Sequence, residues 1–357
     1  MDLLEIQNIL SICLDEIEEL KRENQMLRNM MTESNNKMIN IVNTVIKNAE
    51  TTNHDIIKNA RYLDNAIENI KYEISDPKFD EETLLIPEFY EIDETIEMIA
   101  RDKCSMARFG DGEFALMENK KRQSFQRMDE QLAKRLREII TKNENGMLIG
   151  IADNYGNLEK YNLSGKRGIR YYMTDEVRRE HAKYLDKDRK YHNAYISRPY
   201  ALYADNMTQA PRKRFDALKR IWDGRKVIFV EGALTRLGVG NDLFENALKI
   251  QRIEAPAENS FDRYDDILKA SLRHAQSDTL FLIALGPAAG VLAYDLYKAG
   301  YQAVDVGHVD LEYEWYLNGK GGRSEVKHKF NNEFQGGNIV EDIQDEEYLK
   351  QIIEVIG

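Results

Sequence analysis

The amino-acid sequence predicts an α/β fold: a mostly parallel β-sheet with helices on both faces, preceded by a long N-terminal helical coiled coil. The first 75 residues contain no glycine or proline and repeat apolar residues every three or four positions. After residue 88, short apolar segments alternate with helical patterns, which is typical of a parallel sheet covered on both faces. The length of 357 residues leaves room for about two domains.

Composition excludes several classes of protein. The net charge of −12 argues against a nucleic-acid partner, because a nucleic-acid-binding domain carries a basic face. The two cysteines, Cys13 and Cys104, are far apart in sequence, so they form neither a disulfide framework nor a zinc site. No stretch approaches about 18 apolar residues and the N-terminus lacks a basic region, which predicts no membrane span and no signal peptide. We therefore expect a cytoplasmic protein.

Residues 1–75 are predicted to form a coiled-coil oligomerisation arm, which would make the protein a homo-oligomer. A lone helix cannot bury the heptad seam of this segment, and a polar seam residue such as Asn24 typically fixes the register. The alternative is that the helix packs back on the globular domain as an antiparallel hairpin. Residues 76–87 are predicted to be a linker, because Pro77 and a polar stretch follow the helix. The globular domain would then cover residues 88–357.

The order of elements in this domain follows from its apolar segments. The predicted strands are 104–108, 147–151, 193–197, 226–231, 250–254, 279–285 and 302–306. The predicted helices are 88–103, 128–142, 174–186, 212–222, 261–276 and 288–299.

The segment Arg-Phe-Gly-Asp-Gly-Glu at 108–113 carries the densest chemistry. Asp111 and Glu113 are predicted to lie in a strand-to-helix loop, where both carboxylates turn toward one hard cation. Gly110 and Gly112 give the backbone freedom to approach a ligand, and Arg108 places a permanent cation beside the acids. This combination suits a metal-bound diphosphate. The alternative is an ordinary solvated turn.

Three further segments end predicted strands and carry candidate phosphate contacts. Arg236 lies in a glycine-bearing loop that suits a phosphate grip but lacks the spacing of a dinucleotide fingerprint. Arg198 ends the predicted strand 193–197 and is a candidate for a phosphate or base contact. Gly286 begins a strand-turn-helix segment whose small residues permit either backbone approach to a ligand or close helix–sheet packing.

The last predicted strand runs into Gly-His-Val-Asp-Leu-Glu-Tyr-Glu-Trp at 307–315. One histidine, His308, and three acids within seven residues are dense for a structural turn, and these side chains are the usual general bases. The alternative is a solvated acidic helix start capped by Asp310.

Together these motifs resemble the GT-D glycosyltransferase family, first described as a bacterial domain of unknown function. The resemblance covers roughly residues 90–330 and leaves out the N-terminal helix. It rests on six motifs in order, at 108–113, 197–200, 236–244, 284–287, 293–297 and 307–315.

The resemblance implies a Rossmann-like glycosyltransferase distinct from the GT-A and GT-B folds. Its members use an Asp-x-Glu motif and a divalent metal, usually taken as manganese, to bind a nucleotide sugar. Their known activity transfers glucose from UDP-glucose to a growing glycan on a bacterial surface protein. By position, Asp111 and Glu113 match the motif that binds Mn²⁺ (or Mg²⁺), and His308 and Glu314 match residues required for activity.

The resemblance therefore implies a metal-dependent transferase that moves a sugar, with glucose as the first candidate, from a UDP-sugar to a glycan or glycoprotein acceptor. Glu314 would be the general base, with His308 orienting it or sharing the task. The candidate substrate-binding residues are Arg108, Gly110, Arg198, Arg236, Asn241 and Gly286. One rival function is a non-catalytic coiled-coil scaffold with a sugar-nucleotide-binding domain. The other is a Rossmann oxidoreductase, which the absent fingerprint disfavours.

Overall fold

The structure, a computed structural model, describes residues 3–74, 85–120 and 126–331, together with 333, 337, 340 and 344–357. The chain divides into two compact units, residues 1–64 and 65–357. Most of the predicted linker, residues 76–84, lies outside the described residues.

The long N-terminal helix is confirmed. Helix α1 covers Leu3–Ile74, 72 residues, which corresponds to a length of about 110 Å. The seam side chains that the structure describes are more than half exposed at Leu20, Leu27, Met31, Ile41 and Val45. Pairing of this helix into a coiled coil remains a prediction. None of the helices in the described ranges is long and apolar enough to cross a membrane.

The predicted parallel sheet is also confirmed. Among the described residues, nine strands form one sheet in the order β1-β4-β3-β2-β8-β7-β5-β6-β9, and every strand pair in it is parallel. The strands are β1 Glu88–Phe89, β2 Ser105–Phe109, β3 Met147–Ile151, β4 Lys190–Asn193, β5 Lys226–Gly232, β6 Lys249–Ala255, β7 Leu280–Ala284, β8 Gln302–Asp305 and β9 Ile352–Val355.

Helices connect most of these strands. They are α2 Ile92–Ala100, α3 Asp111–Met117, α4 Glu130–Ile140, α5 Leu163–Tyr172, α6 Asp175–Ala182, α7 Ala210–Lys219, α8 Tyr264–His274, α9 Ala288–Lys298, α10 Val309–Asn318 and α11 Glu346–Gln351.

Alternate residues of each central strand face opposite sides of the sheet. On one side, Ile228 and Val230 of β5 belong to a buried cluster with residues of α4, α8 and α9. On the other side, Val227 and Phe229 belong to a second cluster with α2, α7 and α10. Because both faces are covered, the strands consist of nearly continuous apolar residues, as the sequence indicated.

The strand order reverses between β2 and β8. Strands β3 and β4 follow β2 on one side, whereas β8, β7, β5 and β6 lie on the other side. In open α/β sheets, ligands bind at such a reversal, outside the carboxyl ends of the strands. A ligand site is therefore expected at the segments that follow β2 and β8.

Two predicted elements differ from the structure. The predicted strand 193–197 is wrong: β4 ends at Asn193, whose side chain accepts a hydrogen bond from the Tyr195 amide at 2.9 Å and starts a 3-10 turn, Ala194–Ser197. The helix predicted from residue 88 begins at Ile92, after a capping box of Glu91 and Glu94. Strand β1 precedes that box, so residues 88 and 89 are extended.

Candidate active site

The predicted site residues lie in segments that leave the carboxyl edge of the sheet. Arg108 is in β2, and Gly110, Asp111 and Glu113 follow it directly. Arg198 follows the turn after β4, Arg236 and Asn241 follow β5, Gly286 follows β7, and His308 and Glu314 follow β8. Parallel strands thus bring segments distant in sequence to one edge, as expected from the alternation of elements.

Arg108 joins the two strands at the reversal. Its Nη2 donates to Asp305 Oδ1 at 2.5 Å and its Nε donates to the Asp305 carbonyl at 2.8 Å. Its Nη1 donates to Ser197 Oγ at 2.7 Å. Only 16% of the Arg108 side chain is exposed. This guanidinium therefore holds β8 and the turn after β4 in place, a positioning role that the sequence did not suggest.

Gly307 makes room for this arrangement. It adopts a left-handed conformation with a φ of +45°, and a Cβ atom there would lie 2.0 Å from Arg108 Nη2. The Gly307 amide also donates to Asp305 Oδ1 at 3.1 Å. The turn after β8 is thus shaped around the Arg108–Asp305 ion pair.

Asp111 and Glu113 lie in the first turn of α3, not in a loop as the sequence analysis expected. Glu113 Oε2 accepts a hydrogen bond from the Gly110 amide at 2.7 Å, so the acid caps its own helix. Gly110 has a φ of −116°, and Gly112 is helical. The glycine freedom invoked for the pair is therefore not used here. Burial raises the pKa of Glu113 above its usual range; the hydrogen bond from the Gly110 amide opposes this shift, and the negative charge of Asp305 adds to it.

Asp111 and Glu113 are oxygen donors of the type that hard divalent cations bind. Within the described residues, no group of three or more histidine, cysteine or acidic side chains forms a ready-made metal site. Magnesium-like ions, however, commonly bind one or two carboxylates together with substrate phosphates and water. Burial disfavours the charged form of Glu113, and a cation bound beside it would stabilise the carboxylate.

Arg198 lies in a charged cluster that includes Glu333. Its Nη1 donates to Glu333 Oε2 at 3.0 Å, and its Nη2 donates to Glu333 Oε1. Arg323 Nε lies 3.0 Å from Glu333 Oε2. A second, wholly buried acid, Glu312, has its Oε1 atom 3.8 Å from Arg198 Nη1. Arg198 is thus flanked by two carboxylates.

His308 belongs to the same cluster. Its Nδ1 lies 3.3 Å from Arg198 Nη2, and its Nε2 lies 3.4 Å from Glu333 Oε1. Because an arginine only donates, Nδ1 acts as the acceptor and the proton resides on Nε2. Burial, and next the charge of Arg198, lower the pKa of His308 to about 4. The imidazole is therefore neutral at pH 7.

Glu314 lies in a different, largely buried group of side chains. Its Oε1 accepts hydrogen bonds from Asn241 Nδ2 at 2.7 Å and from Lys329 Nζ at 2.8 Å. The same two donors reach Asp310, with Asn241 Nδ2 at 2.8 Å and Lys329 Nζ at 2.6 Å. Lys329 is fully buried. Two carboxylates therefore share one buried lysine, which compensates one of their two negative charges.

Among the described residues, the contacts of His308 and Glu314 fall in two different groups. His308 is the residue before α10 and contacts Arg198 and Glu333, whereas Glu314 contacts Asn241 and Lys329. The six-residue spacing explains this, because it rotates two side chains well apart around a helix.

The acids of α10 are buried. Asp310 and Glu312 are nearly or wholly inaccessible, so the alternative of a solvated acidic helix start is wrong. Glu312 Oε2 accepts hydrogen bonds from the amides of Tyr200 at 3.0 Å and Ala201 at 2.7 Å. Burial, opposed next by the charge of Arg198, raises the pKa of Glu312 to about 7. The acid thereby anchors the segment that carries Arg198.

Arg236 and Gly286 are placed at turns of the same edge. Arg236 is buried in a left-handed conformation, and its Nη1 donates to the His328 carbonyl at 2.8 Å. Gly286 has a φ of +53° in the turn before α9. At Gly290, a Cβ atom would lie 3.6 Å from Ala107 Cβ, so close packing of α9 on β2 accounts for the small residues of this helix.

Sequence reasoning missed two residues that complete the site, Lys329 and Glu333. Both follow α10 in a segment without an apolar pattern, so no local signal distinguishes them from other charged residues. Asp310 and Glu312 were visible as part of the acidic motif, but their burial was not.

A family model described as the glycosyltransferase GT-D fold matches residues 106–334. A probable glycosyl transferase Gly of Streptococcus gordonii is 34% identical over 265 residues, 73% of this chain and 38% of that protein. The glycosyltransferase GlyD of Streptococcus pneumoniae serotype 4 is 35% identical over 267 residues, 73% of this chain and 32% of that protein. The chain thus spans about a third of the length of the curated relatives it matches.

Solved structures agree with this relationship. The structure of the highly conserved domain of unknown function 1792, described as having a distinct glycosyltransferase fold, superimposes with a TM-score of 0.72 and is 35% identical. The match covers 76% of this chain and 96% of that chain. A glycosyltransferase of the same domain from Streptococcus sanguinis gives a TM-score of 0.71 and 31% identity, over 76% and 100% of the two chains. This chain belongs to the GT-D-fold glycosyltransferase family.

Proposed function

We propose that this chain transfers a sugar, with glucose as the first candidate, from a UDP-sugar to a glycan or glycoprotein acceptor. The observation that carries the proposal is the meeting of acidic, cationic and imidazole side chains at the strand-order reversal of a GT-D fold. The carboxylates of α3 lie after β2, and His308 lies after β8, on the other side of the reversal. Nucleotide ligands of open α/β sheets occupy this position.

The donor diphosphate would lie between the α3 carboxylates and the cationic side chains. Asp111 and Glu113 would hold Mn²⁺ or Mg²⁺, which when bound neutralises the leaving diphosphate. Arg198 would add charge-assisted hydrogen bonds to phosphate oxygens. Arg108 would act mainly by keeping β2, β8 and the Ser197 turn in register, because its donors already contact Asp305 and Ser197.

Glu314 is the better candidate for the general base. Asn241 and Lys329 both donate to its Oε1 atom, so its Oε2 atom would be the one to take the proton of an acceptor hydroxyl. His308 contacts Arg198 through Nδ1 and Glu333 through Nε2, so neither ring nitrogen faces an acceptor hydroxyl in this arrangement. Its role would be to orient the charged cluster rather than to take the proton.

Residues 1–75 would assemble the enzyme into a homo-oligomer. The exposed seam of α1 supports this proposal, because large apolar side chains along one stripe of a helix are normally buried against a partner helix. The partners expected on this basis are a UDP-sugar, a glycan or glycoprotein acceptor and further copies of the chain.

Replacing both Asp111 and Glu113 by alanine tests the proposed donor site. We expect the double variant to lose metal-dependent release of UDP from UDP-sugars while remaining folded, because it loses both candidate metal ligands. The matched control is Asp265→Ala with Asp266→Ala, which removes two first-turn acids from another helix, α8. Undiminished metal-dependent turnover in the Asp111 and Glu113 variant would contradict the assignment.

A further inference from the structure

The contacts of Glu333 define an anion site. Its carboxylate accepts two hydrogen bonds from the Arg198 guanidinium and lies 3.0 Å from Arg323 Nε and 3.4 Å from His308 Nε2. The protonated nitrogen of His308 faces this carboxylate. Three donor groups from three separate segments thus converge on one anion, and we call Arg198, Arg323 and His308 the anion cradle.

The cradle stabilises negative charge strongly. Burial opposes ionisation of Glu333, yet the charge of the nearby Arg198 holds its pKa well below the usual range. Planar guanidinium groups with two parallel donors suit phosphate oxygens as well as carboxylate oxygens. The groups that receive Glu333 are therefore also suited to a phosphoryl group.

The cradle has a support that does not depend on Glu333. Glu312 lies on the other side of Arg198, with its Oε1 atom 3.8 Å from Nη1, and the amides of Tyr200 and Ala201 fix its Oε2 atom. Glu312 is wholly buried, and its Oε1 atom accepts no hydrogen bond from the part of the chain that the structure describes. Arg198 therefore keeps a neighbouring acid, Glu312, after Glu333 leaves.

The position of the cradle suits a ligand of the sheet edge. His308 lies between β8 and α10, and Ser197, which precedes Arg198, accepts a hydrogen bond from Arg108 of β2. The cradle thus borders the β2–β8 reversal. Arg323 leaves 47% of its side chain exposed, so an anion can approach from that side.

We propose that Glu333 occupies a binding site for a phosphoryl group of a diphosphate, and that its carboxylate must move out of the anion cradle before the diphosphate binds. The inference rests on the proposed function insofar as it identifies that diphosphate with the one in the UDP-sugar. The Glu333 carboxylate thus competes with the phosphoryl group for the anion cradle. It keeps the arginine cluster neutralised when no ligand is present and yields to a ligand of higher charge.

Calorimetric titration with inorganic pyrophosphate and with UDP, in the presence of EDTA, tests this inference. EDTA removes divalent metal, so binding reports the cradle rather than the α3 carboxylates. We expect Glu333→Gln to bind both ligands roughly tenfold more tightly than the unmodified chain. This is the gain expected if the fraction of molecules with an open anion cradle rises from about a tenth to nearly all. The control Glu325→Gln neutralises an exposed acid of the same segment and should change neither affinity.

A second pair of variants keeps the test decisive. Glu333→Asp shortens the carboxylate by one methylene and should give an intermediate gain, which is measurable even where Glu333→Gln fails to fold. Adding Arg198→Met to Glu333→Gln should abolish the gain.

Three results would overturn the inference: unchanged or weaker pyrophosphate binding by both Glu333 variants, a gain for UDP alone, or a gain that persists without Arg198. Catalysis is not measured, so this outcome is independent of the donor assay. A chain that binds pyrophosphate as expected but turns over no UDP-sugar would contradict the proposed function alone.

Discussion

Arg108→Met isolates the role of the ion pair at the strand-order reversal. The substitution keeps much of the side-chain volume but removes three hydrogen bonds, two to Asp305 and one to Ser197. Asp305 then remains as a carboxylate that is only 5% exposed, with the Gly307 amide as its remaining neighbour among the contacts described above. Removing one partner of a buried ion pair costs about 3–5 kcal/mol, because the other charge is left uncompensated.

Urea denaturation measures this cost. With a slope of about 3 kcal/mol per molar, a loss of this size lowers the unfolding midpoint by roughly 1–1.7 M. The matched control is Arg101→Met, which removes a side chain that is 66% exposed and paired with exposed Asp102. It should lower the free energy of unfolding by no more than about 1 kcal/mol. Asp305→Asn alone should also destabilise the protein, but the Arg108→Met, Asp305→Asn double variant should cost less than the sum.

The positioning role of Arg108 can also be contradicted by these measurements. If Arg108→Met costs less than about 1 kcal/mol of stability while UDP binding falls sharply, then Arg108 is a ligand-binding residue and the positioning role is wrong.

Three further predictions concern α10 and the N-terminal helix. Burial raises the pKa of Glu312 from 4.5 to about 7, so the folded state favours the neutral acid and the stability of the protein falls as pH rises through this window. The charged neighbours of Glu312 are Arg198 and Glu333. Between pH 5 and 8 the melting temperature of Glu312→Gln should therefore rise relative to that of the unmodified chain, and a difference that does not depend on pH would contradict this. Glu314→Gln should slow single-turnover transfer by about 10²–10⁴-fold with little change in calorimetric UDP-sugar affinity, whereas weak donor binding with normal transfer at saturation would make Glu314 a binding residue. Deleting residues 1–75 should leave a folded domain that light scattering shows to be monomeric, and retention of the parent's oligomeric state would place the interface elsewhere.

The sheet was predictable because its signals are local. Apolar runs such as 226–231 and 279–285 and the helical patterns between them identify a parallel sheet without tertiary information. Helix α5 was missed because it contains two glycines and few apolar residues. Strand β4 was misplaced because a side-chain hydrogen bond of Asn193 ends it early, which apolar periodicity does not reveal.

The candidate site was predictable only as a set of positions. Carboxyl ends of parallel strands share an edge, which placed Asp111, Arg198 and His308 there. The partners of these side chains depend on how distant segments meet. Lys329 and Glu333 come from a segment after α10 that contacts buried acids and arginines, and no spacing within the sequence encodes those contacts.

The most direct test of the proposed activity is the release of UDP from a panel of UDP-sugars by the purified chain, with a glycan acceptor and Mn²⁺, in parallel with EDTA and with NAD(H) titration. We predict UDP release that is fastest with UDP-glucose, is lost with EDTA and is lost in the Asp111 and Glu113 double variant. No NAD(H) binding should accompany it. Absence of UDP release from every UDP-sugar in the panel, or release that EDTA leaves unchanged, would contradict the proposed metal-dependent transfer.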